Sequence, residues 1–170
     1  MLVDAPRHRG ATSTSPRHTH CQVTGSMIAA SSAAGILVVD GDPIVRSVFA
    51  QALEPFGKVE VASNGLDALR LLATRKFDVV LLDLRVPVVD GFFILRTLAT
   101  RPGPNAETPV YALTSDVSEQ ARARAMEEHA AFVLTKPVPV STLTTLIGAA
   151  LGKDAPPREA PQGPGPHRTD

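Results

Sequence analysis

Four short stretches hold side chains able to do chemistry, and each directly follows an apolar run. Asp40-Gly41-Asp42 follows 36-ILVV-39, and Asp83 follows 77-FDVVLL-82. Thr114-Ser115 follows 109-PVYAL-113, and Lys136-Pro137 follows 132-FVLT-135. Two or three carboxylates, a hydroxyl and an ammonium suit phosphoryl handling. Mg²⁺ takes oxygen ligands in an octahedral shell, commonly one or two carboxylates with phosphate and water. A hydroxyl and a lysine can hold the remaining phosphate oxygens and offset their charge. An aspartate in the middle can act as nucleophile and become an acyl phosphate. Singly, each residue has a plainer reading: a turn-forming Asp, a β-branched strand Thr, a solvated Lys. Only their convergence makes a site.

Convergence depends on the elements that carry them. Short apolar runs alternate with amphipathic ones. Strands are expected at 36–39, 58–62, 77–82, 109–114 and 132–135. Asp42-Pro43 reads as an N-cap followed by proline at the first helical position, opening a helix to about Phe56 that Gly57 closes. Further helices are expected at 64–75, with Leu66, Leu69, Leu72 and Ala73 on one face, and at 91–100, 118–129 and 140–151. Five βα units with strands this apolar predict an α/β fold: a five-stranded parallel doubly wound sheet with right-handed crossovers and helices on both faces. Ligands of such sheets bind outside the carboxyl ends of the strands, and all four stretches lie at those ends.

Bulk composition sets the limits. The 170 residues carry 17 Lys+Arg against 17 Asp+Glu, and no dense basic run, so partners held by counterion release, nucleic acid or an anionic membrane, are not expected. The single cysteine, Cys21, excludes an intramolecular disulfide. No apolar run approaches the roughly 18 residues of a membrane span, and the first 30 residues hold no apolar signal core. A cytoplasmic protein is the expectation. All seven aromatic residues fall between Phe49 and Phe132. The ends, rich in Ser, Thr, Ala, Arg and His or in Pro, have little to bury against their ordering entropy. The expected organisation is a disordered tail over 1–34, one domain over 35–152, and a disordered Pro-rich tail over 153–170. Met27 is the expected native start. The 18-HTHC-21 cluster matches no closed zinc spacing.

With these stretches in hand, the domain resembles the receiver domain of two-component response regulators over nearly all of residues 35–152. The resemblance rests on ILVVD at the first strand, on the D-x-x-x-P-x-x-D-G pattern within 77-FDVVLLDLRVPVVDGFFILR-96, on 64-NGLDAL-69, on 109-PVYALTS-115 and on 134-LTKP-137. It implies a flavodoxin-like receiver fold with Asp83 as phosphoacceptor. It also implies Mg²⁺ held by Asp40, Asp83 and the Arg85 backbone carbonyl, with Thr114 and Lys136 engaging the phosphoryl group, and a cis Lys136–Pro137 peptide. Pro87, Asp90 and Gly91 would shape the loop into the third helix.

Three positions depart from the family pattern. Gly41 stands where a second, metal-binding acid is usual. Asp42 is the one nearby carboxylate that could replace it, unless it serves as the helix cap. Val133 stands where Tyr or Phe is usual, with Phe132 beside it and, by strand alternation, on the other face. His129 replaces a helix-ending glycine.

The expected function is a stand-alone receiver that takes a phosphoryl group from a histidine kinase or histidine phosphotransfer protein and signals through an output protein. The alternative is a phosphorylation-impaired binding module on the same fold, on account of Gly41. An enzyme is not expected. Asp40-Gly41-Asp42 fits the D-x-D of haloacid-dehalogenase-type phosphatases, but that family needs acids after its lysine, and here only Asp154, Glu159 and Asp170 follow Lys136.

Overall fold

A computed structural model describes residues 33–152. The two expected tails, the Met27 start and the 18-HTHC-21 cluster lie outside these residues, apart from Ala33 and Ala34. The chain runs β1 (Ala34–Val39), α1 (Pro43–Leu53), a 3₁₀ turn (Glu54–Phe56), β2 (Gly57–Ala62), α2 (Gly65–Thr74), β3 (Val79–Asp83), α3 (Gly91–Thr100), β4 (Val110–Thr114), α4 (Glu119–Glu127), β5 (Phe132–Thr135) and α5 (Val140–Ala150). All strand pairs are parallel, in the order β2-β1-β3-β4-β5. The expected five βα units and doubly wound sheet are therefore present. The order reverses between β1 and β3, the switch point at which ligands sit in such sheets.

Two apolar clusters flank the sheet. On one face Leu37, Val39, Val80, Leu82 and Ala112 pack with Ala68, Leu72, Ile94 and Leu95. On the other, Ile36, Val38, Leu81 and Leu113 pack with Phe49, Leu53, Leu143 and Ile147. Alternate residues of each strand feed opposite clusters, as the period of two requires. Both faces are covered, which is why β3 is buried at all five positions. Among the described residues no helix is long and apolar enough to cross a membrane.

Several expectations need correction. The first helix stops at Leu53, because Pro55 has no N–H to continue the ladder and its ring meets the preceding turn. A 3₁₀ turn carries the chain to Phe56, and Gly57, whose N–H bonds the Glu54 carbonyl, closes that turn as expected and opens β2 in extended backbone. The buried positions of α2 are Gly65, Ala68 and Leu72, while Leu66 is 40% exposed and Ala73 faces solvent. The N-terminus of α2 fixes this rotation. A Cβ at Gly65 would lie 2.0 Å from the Val89 carbonyl oxygen, so the residue without a side chain must face the β3–α3 loop.

The third strand starts two residues late because a side chain takes the hydrogen bond of Phe77. Buried Asn105 accepts from the Phe77 N–H at 2.8 Å and donates to the carbonyls of Leu72 (2.7 Å) and Arg75 (2.6 Å). Thr108, also buried, donates to the Phe77 carbonyl at 2.9 Å and accepts from Lys76 Nζ at 2.8 Å. This network ties the end of α2 to the α3–β4 loop. Asn105→Ala leaves two buried and one part-buried backbone group unpaired, so about 2–4 kcal/mol of stability should be lost, read as a lower midpoint in urea with unchanged slope.

The end of α4 shows what His129 does. Its φ is 71°, and the chain closes a paired C-terminal motif: His129 N–H bonds the Met126 carbonyl at 3.1 Å and Ala130 N–H the Ala125 carbonyl at 2.9 Å. The corner is kept in its glycine-type geometry, with a side chain in the left-handed region. His129→Gly should relieve about 1 kcal/mol and raise Tm by about 4 °C, measured by thermal unfolding.

Candidate functional site

The carboxyl ends of β1, β3, β4 and β5 bring Asp40, Asp83, Thr114 and Lys136 to one edge of the sheet. Asp40 follows β1 and is 1% exposed; Asp83 closes β3 and is 8% exposed. Between them lies the ammonium of Lys136, whose Nζ is 2.5 Å from Asp40 Oδ2 and 2.5 Å from Asp83 Oδ2. Lys136 reaches this point from the first position after β5, where its N–H bonds the Thr114 carbonyl at 2.7 Å. The Lys136–Pro137 peptide is cis. Burial disfavours the ammonium, but hydrogen bonds to Asp40 and Asp83 outweigh it and hold the Lys136 pKa above its usual value. A raised lysine pKa adds stability that is fully present below the unfolded value of about 10.4 and is lost as pH climbs through the folded value. The lysine-dependent part of stability should thus be flat from pH 7 to 9 and fall only above about 10.4, checked by urea titrations across that range.

The other oxygens of the two acids are set by local backbone. Asp40 Oδ1 accepts from the Asp42 N–H at 2.9 Å, and Asp83 Oδ1 from the Arg85 N–H at 2.8 Å. The Arg46 guanidinium donates to the Asp40 backbone carbonyl at 2.6 Å. Asp42 points away from this group: its Oδ1 accepts from Ile44 N–H at 2.8 Å and Val45 N–H at 3.4 Å. The structure thus uses Asp42 as the cap of α1. Gly41 is not in the left-handed region, so the backbone does not require glycine there. A Cβ would meet only the Pro87 ring, at 3.1 Å.

The β3–α3 loop is bent tightly beside Asp83. Val89 N–H bonds the Pro87 carbonyl at 2.9 Å, closing a three-residue turn around Val88, whose φ is 72°. Such a turn on a β-branched residue holds about 1–3 kcal/mol of backbone strain. The Pro87 carbonyl also accepts from Gly65 N–H at 3.0 Å, and Gly91 N–H bonds the Leu84 carbonyl at 3.1 Å. A Cβ at Gly91 would lie 2.7 Å from Leu84 Cα and 2.8 Å from the Asp83 carbonyl oxygen. The glycine therefore lets the start of α3, capped by Asp90, press against the strand end that holds Asp83.

Thr114 is 3% exposed, and its Oγ1 accepts from the Asp116 N–H at 3.0 Å. With Val133 and Thr135 it lines a cleft of about 430 Å³ beneath the β4–α4 loop. Val133 is buried, and Phe132 stacks on Tyr111 with centroids 6.0 Å apart. Tyr111 belongs to the α1/α5 cluster and Val133 to the other, so Phe132 does lie on the opposite face, as alternation required. Ser115 is exposed.

Two carboxylates and a carbonyl that accepts no hydrogen bond among the described residues (Arg85) match the oxygen ligands of a Mg²⁺ site, and the nearby ammonium suits a phosphate beside it. The residues fit a metal held by Asp40, Asp83 and Arg85, with one acid fewer than the family pattern because Gly41 offers no side chain. Arg46 and the Val88 turn, both part of this edge, were not singled out in the sequence. The only signal for Arg46 was its place near the start of α1, six residues after Asp40.

A doubly wound sheet with an acid pair bridged by lysine at its switch point is the arrangement that the resemblance to receiver domains implies. Comparison with known proteins makes the family explicit. The model of the response regulator receiver domain matches residues 36–148, and the chain belongs to that family. The response regulator MprA of Mycobacterium sp. (strain KMS) is 33% identical over 130 residues, 76% of this chain and 55% of that protein. The chain thus spans about half the length of the curated relatives it matches. Among solved structures, the Francisella response regulator 1452 receiver domain is 27% identical with a TM-score of 0.65, covering 70% of this chain and 97% of that one. The chemotaxis response regulator CheY4 of Vibrio cholerae is 26% identical with a TM-score of 0.65, covering 70% and 99%.

Proposed function

We propose that this receiver domain accepts a phosphoryl group on Asp83 from the phosphohistidine of a histidine kinase or histidine phosphotransfer protein, in the cytoplasm, and that it signals by protein–protein contacts of the receiver itself. The observation that supports this most is Lys136 placed between Asp40 and Asp83 at 2.5 Å from each. That geometry offers one fixed positive charge to the oxygens that gain charge during transfer. Asp83 keeps one oxygen oriented by the Arg85 N–H and the other by Lys136. Thr114 Oγ1, at the β4 end, is the hydroxyl that would reorient toward the new phosphoryl oxygens. Mg²⁺, when bound by Asp40, Asp83 and the Arg85 carbonyl, would neutralise charge on the transferring group.

Gly41 supports a second reading, a binding module with impaired phosphorylation, since it removes one of the usual metal carboxylates. A labelled phosphohistidine donor separates the two. Phosphate should move to the wild-type chain and not to Asp83→Asn. Retention of all label on the donor, even with Mg²⁺ in large excess, would favour the binding module.

A further inference from the structure

We infer that Arg46 is a positioning residue for the Asp40 carboxylate, restoring from α1 the order that Gly41 removes from the loop. The inference rests on the phosphoacceptor reading for its consequence but not for its geometry. Glycine has the widest backbone freedom of any residue, and Gly41 sits between the peptide that carries Asp40 and the cap of α1. Nothing in its own backbone conformation calls for glycine. The segment is nevertheless closed from both sides. The part-buried Arg46 guanidinium holds the Asp40 carbonyl at 2.6 Å, and the Asp40 side chain holds the Asp42 N–H at 2.9 Å. The Arg46 N–H itself bonds the Asp42 carbonyl at 3.0 Å. The backbone bond is the ordinary first-turn bond of α1, so the side chain's own contribution is its hold on residue 40, made from the helix that Asp42 caps.

The charge of Arg46 and its grip act on the metal site with opposite signs, which makes the idea testable. As a mere cation near two acids, Arg46 would repel Mg²⁺, and its removal would tighten binding. As a clamp, its removal lets Asp40 wander and weakens binding.

The test uses the full chain in its unphosphorylated state. In Arg46→Ala, hydrogen exchange of the Asp42 amide followed by NMR should quicken about tenfold, while amides of β1 and β3 keep their wild-type rates. Mg²⁺ titrated calorimetrically should bind about three- to tenfold more weakly, and Arg46→Lys, which keeps one donor and the charge, should recover part of both effects. Tighter Mg²⁺ binding in Arg46→Ala, an unchanged Asp42 amide, or faster exchange throughout β1 and β3 would each overturn the inference. None of these readouts requires phosphorylation. A wild type that takes no phosphoryl group would therefore sink the proposed function and leave the clamp standing.

Discussion

Gly41→Asp is expected to tighten Mg²⁺ binding by about one to three orders of magnitude. A unit charge about 4 Å from another is worth up to about 4 kcal/mol at an effective dielectric near 20, and desolvation of the added carboxylate takes part of that back. The site can take the side chain, because a Cβ there meets only the Pro87 ring, Cδ at 3.1 Å and Cγ at 3.5 Å. The ring has to yield a few tenths of an ångström. The same substitution puts a third acid beside Asp40 and Asp83, with Lys136 and the Arg46 guanidinium to balance the three. Without metal the variant should therefore be less stable than wild type. With metal its Tm should climb more steeply, because stabilisation by a ligand grows as RT ln(1 + [L]/Kd). Calorimetric titration and thermal unfolding with and without Mg²⁺ check both halves. Equal Mg²⁺ affinity in the two proteins would mean that Gly41 does not limit the site.

Lys136→Met should cost both stability and transfer. Lys136 is shared by two buried carboxylates, at 2.5 Å from each, and methionine fills its volume without its charge. Breaking a buried pair by removing one partner typically costs about 3–5 kcal/mol. Part of the Lys136 side chain still meets solvent, at 19% relative exposure, so a loss of about 2–3 kcal/mol at pH 7 is expected. Loss of a positioned charge from a transferring group costs about 10²–10³ in rate, and phosphorylation by a small donor should fall accordingly. The two effects separate experimentally, because Mg²⁺ can restore stability by neutralising the acids without restoring the lost contact to phosphate.

Much of this site was legible because chemistry and periodicity coincided. Asp40 and Asp83 stand at the ends of runs too apolar for anything but buried strands, and parallel topology then forces those ends to one edge. Asp42-Pro43 announced its own capping role, which is where the structure uses it. Phe132 and Val133 were assigned to opposite faces from strand alternation alone. The features that stayed hidden share a cause: they depend on contacts between residues far apart in sequence. Asn105 sits in a Pro- and Gly-rich loop that reads as an ordinary turn, yet its partners lie 28 to 33 residues earlier. The rotation of α2 followed from the approach of Gly65 to Val89, which no helical period encodes. The Val88 turn was hidden for a different reason. A β-branched residue is the last one composition would place at positive φ, so only the geometry around Pro87 reveals it.

The central claim is that Asp83 is a working phosphoacceptor despite Gly41. Its most direct test is intact mass spectrometry of the wild type, Asp83→Asn and Gly41→Asp over time with Mg²⁺ and acetyl phosphate. The wild type should gain about 80 daltons, one phosphoryl group on a carboxylate. Asp83→Asn should gain none, and Gly41→Asp should accumulate the adduct faster. A wild type that stays unmodified while Gly41→Asp is phosphorylated would contradict the claim, and would make the protein a binding module whose site is one carboxylate short.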